Sequence, residues 1–245
     1  MAKRGDPRSA TVHSEARDVG VVIVAAGSST RAGGPSTELK QLRWVAGKPM
    51  LLHSLQTFMA RADVVSVVVV LPPRYAGDPP PWIFQCDVDR LMIAPGGSTR
   101  TESVANGLDD LPDEAQVVLI HDAARPLVED ATIERVVQHV RQVGPAIAAL
   151  PVTDTLKEVD ESSTIVRTAE RARLWRAQTP QGFPREVIVR AHREAAAARL
   201  TATDDAALCE RIGIPVAVVA GSERAFKVTT EEDFARVEAL ARALE

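Results

Sequence analysis

The run Val19-Gly20-Val21-Val22-Ile23-Val24-Ala25 decides the fold. It is short, apolar and β-branched with no polar alternation, the pattern of a strand covered on both faces. The next stretch is its opposite: a small, polar, glycine-containing loop, Ala26-Gly27-Ser28-Ser29-Thr30-Arg31, continuing through Gly33-Gly34 to Lys40-Gln41. Outward from there, strand and helix alternate. Leu51, Leu52, Leu55, Phe58 and Met59 recur at helical spacing and predict a helix starting near Pro49. The valine run at 64–71 is a second buried strand, ended by Pro72 and Pro73. A proline-rich connection at 78–82, a strand at 91–94, a glycine loop at 96–97 and a helix over 99–108 follow. Then come a strand over 116–120, a helix over 132–142 and a strand over 145–152. Later elements are helices over 184–199 and 204–211, a strand over 215–220 and a closing helix over 231–244. The alternation predicts an α/β fold: a Rossmann-like, mostly parallel twisted sheet with helices on both faces. In such sheets ligands bind outside the carboxyl ends of the strands.

Residues 153–171 break the pattern. Two short β-prone segments, 155–159 and 164–168, read as a hairpin projecting from the sheet as an arm. An isolated hairpin is barely stable in water, so a second subunit is expected to cover it. Residues 1–18 are polar, of mixed charge, and lack the apolar stretch of a secretory signal. They are expected to form a disordered extension before one domain spanning 19–245.

Composition excludes several functions. Aromatic residues are 4% of the chain and the net charge is −4, which argues against a nucleic-acid partner. No apolar run approaches the ~20 residues that span a membrane. The two cysteines, Cys86 and Cys209, show no metal-binding spacing and read as reduced thiols of a cytoplasmic protein.

Three loops after strands carry the chemistry. In the first, small residues let backbone approach a ligand, successive N–H groups form an anion-binding concavity, and Arg31 and Lys40 add charge; a triphosphate needs this combination. A flexible surface loop with two solvated cations is the plainer alternative. The second loop, Gly96-Gly97-Ser98-Thr99-Arg100-Thr101-Glu102-Ser103, opens a helix, where exposed N–H groups and hydroxyls suit a base or phosphate. Capping of the helix by Ser98 or Thr99 is compatible with that. The third, His121-Asp122-Ala123-Ala124-Arg125-Pro126, places Asp122 where a metal-bound phosphate could sit and Arg125 where it could clamp an anion. A local Asp122–Arg125 ion pair is the alternative, and His121 reads as structural.

These motifs occur in order with Asp154-Thr155-Leu156-Lys157, Leu174-Trp175-Arg176-Ala177-Gln178-Thr179-Pro180-Gln181, Thr203-Asp204-Asp205-Ala206 and Phe226-Lys227-Val228-Thr229. Together they resemble the 2-C-methyl-D-erythritol 4-phosphate cytidylyltransferase family of the non-mevalonate isoprenoid pathway, from about residue 19 to the C-terminus. The resemblance implies transfer of CMP from CTP to 2-C-methyl-D-erythritol 4-phosphate with release of pyrophosphate, dependent on Mg2+. It implies that Arg31 and Lys40 stabilise the transition state, and that Ala25, Ala26, Gly27, Gly97, Ser98, Ser103, Asp122 and Ala123 hold the nucleotide. Asp122 would also lie near the metal, itself held mainly through CTP phosphates. Arg125, Thr155, Arg171, Thr203 and Lys227 would hold the acceptor. The arm would make a homodimer, with Thr155 and Arg171 serving the neighbour's site. Other readings of the residues stay open: a solvated basic face for Arg171, a snorkelling lysine after a buried strand for Lys227, a helix cap for Thr203 and a packing role for Trp175. Alternative functions are a ribitol 5-phosphate cytidylyltransferase and a non-catalytic nucleotide-sensing subunit.

Overall fold

A computed structural model describes residues 17–27 and 39–244. The first strand, β1 (Val19–Val24), is almost wholly buried, as its composition predicts. A small hairpin, β2 (Trp44–Val45) and β3 (Lys48–Pro49), leads into α1 (Met50–Met59). Next come β4 (Val64–Leu71), a one-turn helix α2 (Pro73–Ala76), β5 (Leu91–Pro95) and α3 (Arg100–Asp109). The chain continues through β6 (Val117–Asp122), α4 (Asp130–Gln142) and β7 (Ala146–Pro151). After the hairpin of β8 (Lys157–Val159) and β9 (Ile165–Thr168) it returns as β10 (Trp175–Pro184). It ends with α5 (Arg185–Ala197), α6 (Asp205–Arg211), β11 (Ala217–Ala220) and α7 (Glu231–Arg242).

Seven strands form the central sheet in the order β11-β7-β10-β6-β1-β4-β5. All neighbours pair parallel except β10, which is antiparallel to both β6 and β7. One apolar cluster joins β1 and β4 to α1 and α4, and another joins the opposite face to α3, α5 and α6. Helices therefore cover both faces, as the strand composition requires. The buried side of α4 shows why: Ile133, Val136, Val137 and Val140 recur every three or four residues, giving one apolar stripe. On the other face Gly107 lets α3 lie close to the sheet, since a Cβ there would come within 2.6 Å of Val22 and 2.9 Å of Val70.

Several expectations need correction. β10 is a strand that periodicity does not reveal, because Thr179, Pro180, Gln181 and Gly182 lack any strand-like apolar pattern; its neighbours β6 and β7 hold it. Within it Trp175 is 48% exposed and is no core residue of this chain. His121 and Asp122 end β6 instead of opening a loop. Lys227 follows a short helical turn at Glu223–Ala225, not a strand. Asp204, not Thr203, caps α6, its side chain accepting from Ala207 N at 3.1 Å. Arg17 and Asp18 belong to the fold: Asp18 O accepts from Val117 N, and the Asp18 carboxylate pairs with Arg141. The rest of the expected N-terminal extension lies outside the described residues.

The hairpin at 153–171 forms as expected. Among the described residues β8 and β9 pair only with each other, and every residue of both strands is exposed. Ile165 and Val166 are among its outward apolar side chains.

Candidate active site

The carboxyl ends of β1, β5 and β6 open onto one cavity of about 1030 Å³. A smaller hollow of about 460 Å³ by Gln116 and Arg185 lies beside the opposite, amino end of β6, away from the three loops. Ala26, Gly27, Lys40, Gly97, Ser98, Ser103, Asp122, Ala123 and Lys227 all line the larger cavity. Ala25 is buried just behind it, its N–H donating to Val70 O at 2.9 Å. Arg31 lies outside the described residues.

Each wall is built by local chemistry. Gln41, to which the sequence motifs give no role, is buried, and its side-chain amide donates to Ala25 O and, at 3.0 Å, to Gly27 O. It thereby pins the first loop to the segment carrying Lys40. The second loop approaches the first through Gly96, where a Cβ would come within 2.3 Å of the Ala26 Cβ, so only glycine fits. Thr99 caps α3 by accepting from Glu102 N at 3.0 Å. Ser103 Oγ donates to Thr99 O at 2.8 Å and accepts from Gly97 N at 3.1 Å, so this hydroxyl shapes the loop. The Glu102 carboxylate accepts from Ser98 N at 2.7 Å and from its hydroxyl at 2.5 Å.

Asp122 is the electrostatic centre. Its backbone N–H donates to Thr179 Oγ1 at 3.1 Å, and the hydroxyl sits 3.0 Å from His121 Nδ1. His121 Nε2 lies 3.1 Å from Arg125 O and must be the protonated nitrogen, since a carbonyl only accepts. Nδ1 therefore accepts from Thr179. Burial holds this imidazole down to about 4, so it is a neutral structural group. Burial alone would push the Asp122 carboxyl up, but Arg100 and Lys227 overcome it and hold the group well below the usual carboxylate range. Lys227 Nζ donates to Asp122 Oδ2 at 2.8 Å. Arg100 Nη2 and Nε reach Asp122 Oδ1 at 3.3 and 3.4 Å. Lys40 Nζ donates to Val228 O at 2.5 Å, which puts both lysines on the same wall.

The segment carrying Lys227 is held from behind. Arg43 makes a bidentate pair with Glu231 at 2.5 and 2.9 Å and lies over the Phe234 ring at 3.7 Å. A capping box of Thr230 and Asp233 starts α7. Thr229 and Thr230 then complete the cavity rim.

The other expected acceptor residues are not among those lining the cavity. Arg125 donates to Ala225 O at 2.7 Å and Ala177 O at 3.2 Å, tying the 222–228 segment to β10, and does not line the cavity. Among the described residues Asp122 forms its ion pairs with Arg100 and Lys227 instead of Arg125. Thr155 and Arg171 are exposed at the base of the arm, with Arg171 Nη1 donating to Thr153 O at 2.5 Å. Thr203 is exposed beside α6. Arg100 and Gln41 are among the site residues to which the sequence alone gives no role; the signal was their place inside the two small-residue loops.

Comparison with known proteins agrees with this geometry. Residues 19–243 match the family described as 2-C-methyl-D-erythritol 4-phosphate cytidylyltransferase. The protein of that name from Streptomyces coelicolor is 43% identical over 229 residues, covering 89% of this chain and 83% of that one. Its counterpart from Pelotomaculum thermopropionicum is 39% identical over 231 residues, covering 92% and 94%. The crystal structure of the Thermus thermophilus enzyme superimposes with a TM-score of 0.75 at 36% identity, covering 92% of this chain and 99% of that one. A glycine-lined nucleotide-sized cavity at the strand ends, flanked by paired lysines, occurs here in a chain with that likeness over nearly its whole length. The chain therefore belongs to the 2-C-methyl-D-erythritol 4-phosphate cytidylyltransferase family.

Proposed function

We propose that this protein transfers CMP from CTP to 2-C-methyl-D-erythritol 4-phosphate, giving 4-diphosphocytidyl-2-C-methyl-D-erythritol and pyrophosphate. The observation that carries the reading is the convergence of Lys40, Lys227 and Asp122 on one cavity at the carboxyl ends of β1, β5 and β6. An oxygen of the acceptor phosphate attacks the α-phosphorus of CTP. The bond from that phosphorus to the bridging oxygen of the β-phosphate breaks, and pyrophosphate leaves with the electron pair. The attacking phosphate is already ionised at neutral pH, so no protein nucleophile is needed. What the protein supplies is position and positive charge where two anions meet. Lys40, with Arg31, neutralises the triphosphate, and Lys227 faces the acceptor phosphate. Ala26, Gly27, Gly97 and Ser98 offer backbone close enough to hold the nucleotide.

Mg2+ fits the donor set. Among the described residues no group of three or more His, Cys, Asp or Glu side chains gathers, so no all-protein cage exists there. Asp122 is the one carboxylate lining the cavity among those residues. Magnesium takes one or two carboxylates plus phosphate oxygens, so it would be held by Asp122 and mainly by CTP. Bound there, it would neutralise the phosphates and polarise the α-phosphorus. The exposed arm is read as the homodimer contact that carries Thr155 and Arg171 to the partner's site. Among the described residues no helix is long and apolar enough to cross a membrane, and we place the enzyme in the cytoplasm.

Pyrophosphate release is the test, with CTP and either 2-C-methyl-D-erythritol 4-phosphate or ribitol 5-phosphate, with and without Mg2+. The expected result is turnover with the methylerythritol acceptor, abolished by a chelator. Turnover with ribitol phosphate alone moves the acceptor assignment. CTP binding without turnover makes the protein a nucleotide sensor instead.

A further inference from the structure

Two sequence motifs contribute no residue to the cavity lining among the described residues: Gln178-Thr179-Pro180-Gln181 and Thr203-Asp204-Asp205-Ala206. They meet in space. Gln181, buried in β10, accepts from Asp205 N at 3.0 Å and Ala206 N at 3.1 Å, and donates to Asp204 Oδ2 at 2.9 Å. The sheet thus grips the start of α6 and fixes Asp205, whose side chain is 1% exposed. His192 of α5 meets Asp205 Oδ1 at 3.0 Å from behind. Asp205 Oδ2 accepts from Arg100 Nη1 at 2.8 Å, and the other edge of the same guanidinium reaches Asp122. Asp122 in turn holds Lys227. A continuous line of alternating charge runs from α6 through α3 to the cavity.

We propose that Arg100 is a positioning residue for the transfer, its guanidinium bridging buried Asp205 to cavity-lining Asp122 and so setting where the Asp122–Lys227 pair stands. The inference rests on the functional reading above. The two cations on Asp122 differ in kind. Lys227 sits on a flexible stem with 47% of its side chain exposed, while Arg100 is 23% exposed and clamped at both ends. When Lys227 turns to an incoming phosphate, Asp122 keeps Arg100 as one fixed counter-charge and so stays in place. A lysine in place of Arg100 keeps the charge but cannot engage two carboxylates with one rigid fork. Burying three charges also costs desolvation that an apolar contact would not, so the arrangement is weak evidence for a stabilising role.

The test uses full-length protein carrying Arg100→Lys, Asp205→Asn and both changes, assayed with CTP, 2-C-methyl-D-erythritol 4-phosphate and Mg2+. Each single variant is expected to lower kcat by about 10- to 100-fold, the scale of ångström-size misplacement around a reacting centre. KM for CTP is expected to stay within about threefold, since Arg100, although it also lines the cavity, acts through Asp122; a larger rise marks it as a direct nucleotide contact and overturns the positioning role. The double variant is expected to be no worse than the poorer single one, because both act through the same link. Crystal structures of the folded variants supply a readout independent of turnover: Lys227 Nζ, 2.8 Å from Asp122 Oδ2 in the parent protein, is expected to move away from it. A folded Arg100→Lys protein with wild-type kcat, additive losses, or an unmoved Lys227–Asp122 pair overturns the proposal. So does failure of both single variants to fold, which makes the network purely structural. Wild-type protein inactive with both acceptors defeats the functional reading, and the crystallographic position of Lys227 then decides the positioning role alone.

Discussion

Lys227 and Asp122 are 105 positions apart in the chain and 2.8 Å apart in space. The contact joins the end of β6 to the segment before α7 and closes the cavity on one side. On the proposed function, it also gives the lysine a partner to leave when a phosphate arrives. Lys227→Ala is expected to lower kcat/KM for the acceptor by about 10²–10³-fold, the scale seen when one charge-stabilising group is removed. KM for CTP should change little. Steady-state kinetics with each substrate varied in turn checks this, and thermal unfolding should show near-native stability because the side chain is half exposed.

Gly96→Ala should separate the two nucleotide loops. The added methyl meets the Ala26 Cβ at 2.3 Å, and neither group can rotate away. Overpacking of this kind costs about 1–3 kcal/mol. The expected outcome is a lower Tm by calorimetry and a raised Kd for CTP by titration calorimetry. Wild-type CTP affinity would show that the loops do not need this approach.

Gln41→Ala removes the amide that bridges the carbonyls of Ala25 and Gly27. Leaving the buried Ala25 carbonyl without its donor costs about 1–3 kcal/mol. Because the loss falls on the nucleotide loop, KM for CTP should rise more than stability falls. Gln41→Glu should be worse, since a carboxylate cannot donate to carbonyls.

Asp233→Ala should destabilise the protein by about 1 kcal/mol through loss of the α7 cap. The carboxylate accepts from Thr229 N and Oγ1 at 2.7 Å and from Thr230 N at 2.8 Å. Burial works against its ionised form, but these donors hold it down to about 2 against an ordinary value of 3.8. A depressed carboxyl stabilises the fold above its unfolded value and loses that contribution as pH falls through the folded one. The gap between wild type and variant should therefore be full at pH 7 and shrink between about pH 4 and pH 2. Urea unfolding at several pH values reads it directly.

Ile165→Asp together with Val166→Asp puts charge on the most exposed apolar part of the arm, where these side chains are 60% and 61% exposed. If the arm embraces a second copy, sedimentation should show a shift from dimer to monomer and turnover should fall, because Thr155 and Arg171 no longer reach a partner's site. Unchanged sedimentation would remove the arm from the interface.

The central strands and most helices were legible because their cause is local. Val64–Leu71 is apolar at nearly every position, and such a run is stable only between two covered faces. Lys40, Gly97, Ser98 and Asp122 were legible for a related reason: each belongs to a segment at the end of a strand, where an α/β sheet places its ligands. β10 was not legible. Its Gln-Thr-Pro-Gln stretch has no strand periodicity, and its hydrogen bonds come from β6 and β7, which only the closed sheet supplies.

Alternation of apolar runs with small-residue loops determined by itself the class of sheet, its coverage by helices and the end at which a site would form. Only the tertiary structure decided that Arg100 stands between Asp205 and Asp122, that Arg125 ties the backbone of Ala225 to that of Ala177, and that Gln41 locks the first loop. The reason is range. Backbone preference and burial periodicity act over a few neighbouring residues, whereas the partner of a buried charge is set by whichever distant segment the fold brings within about 3 Å of it.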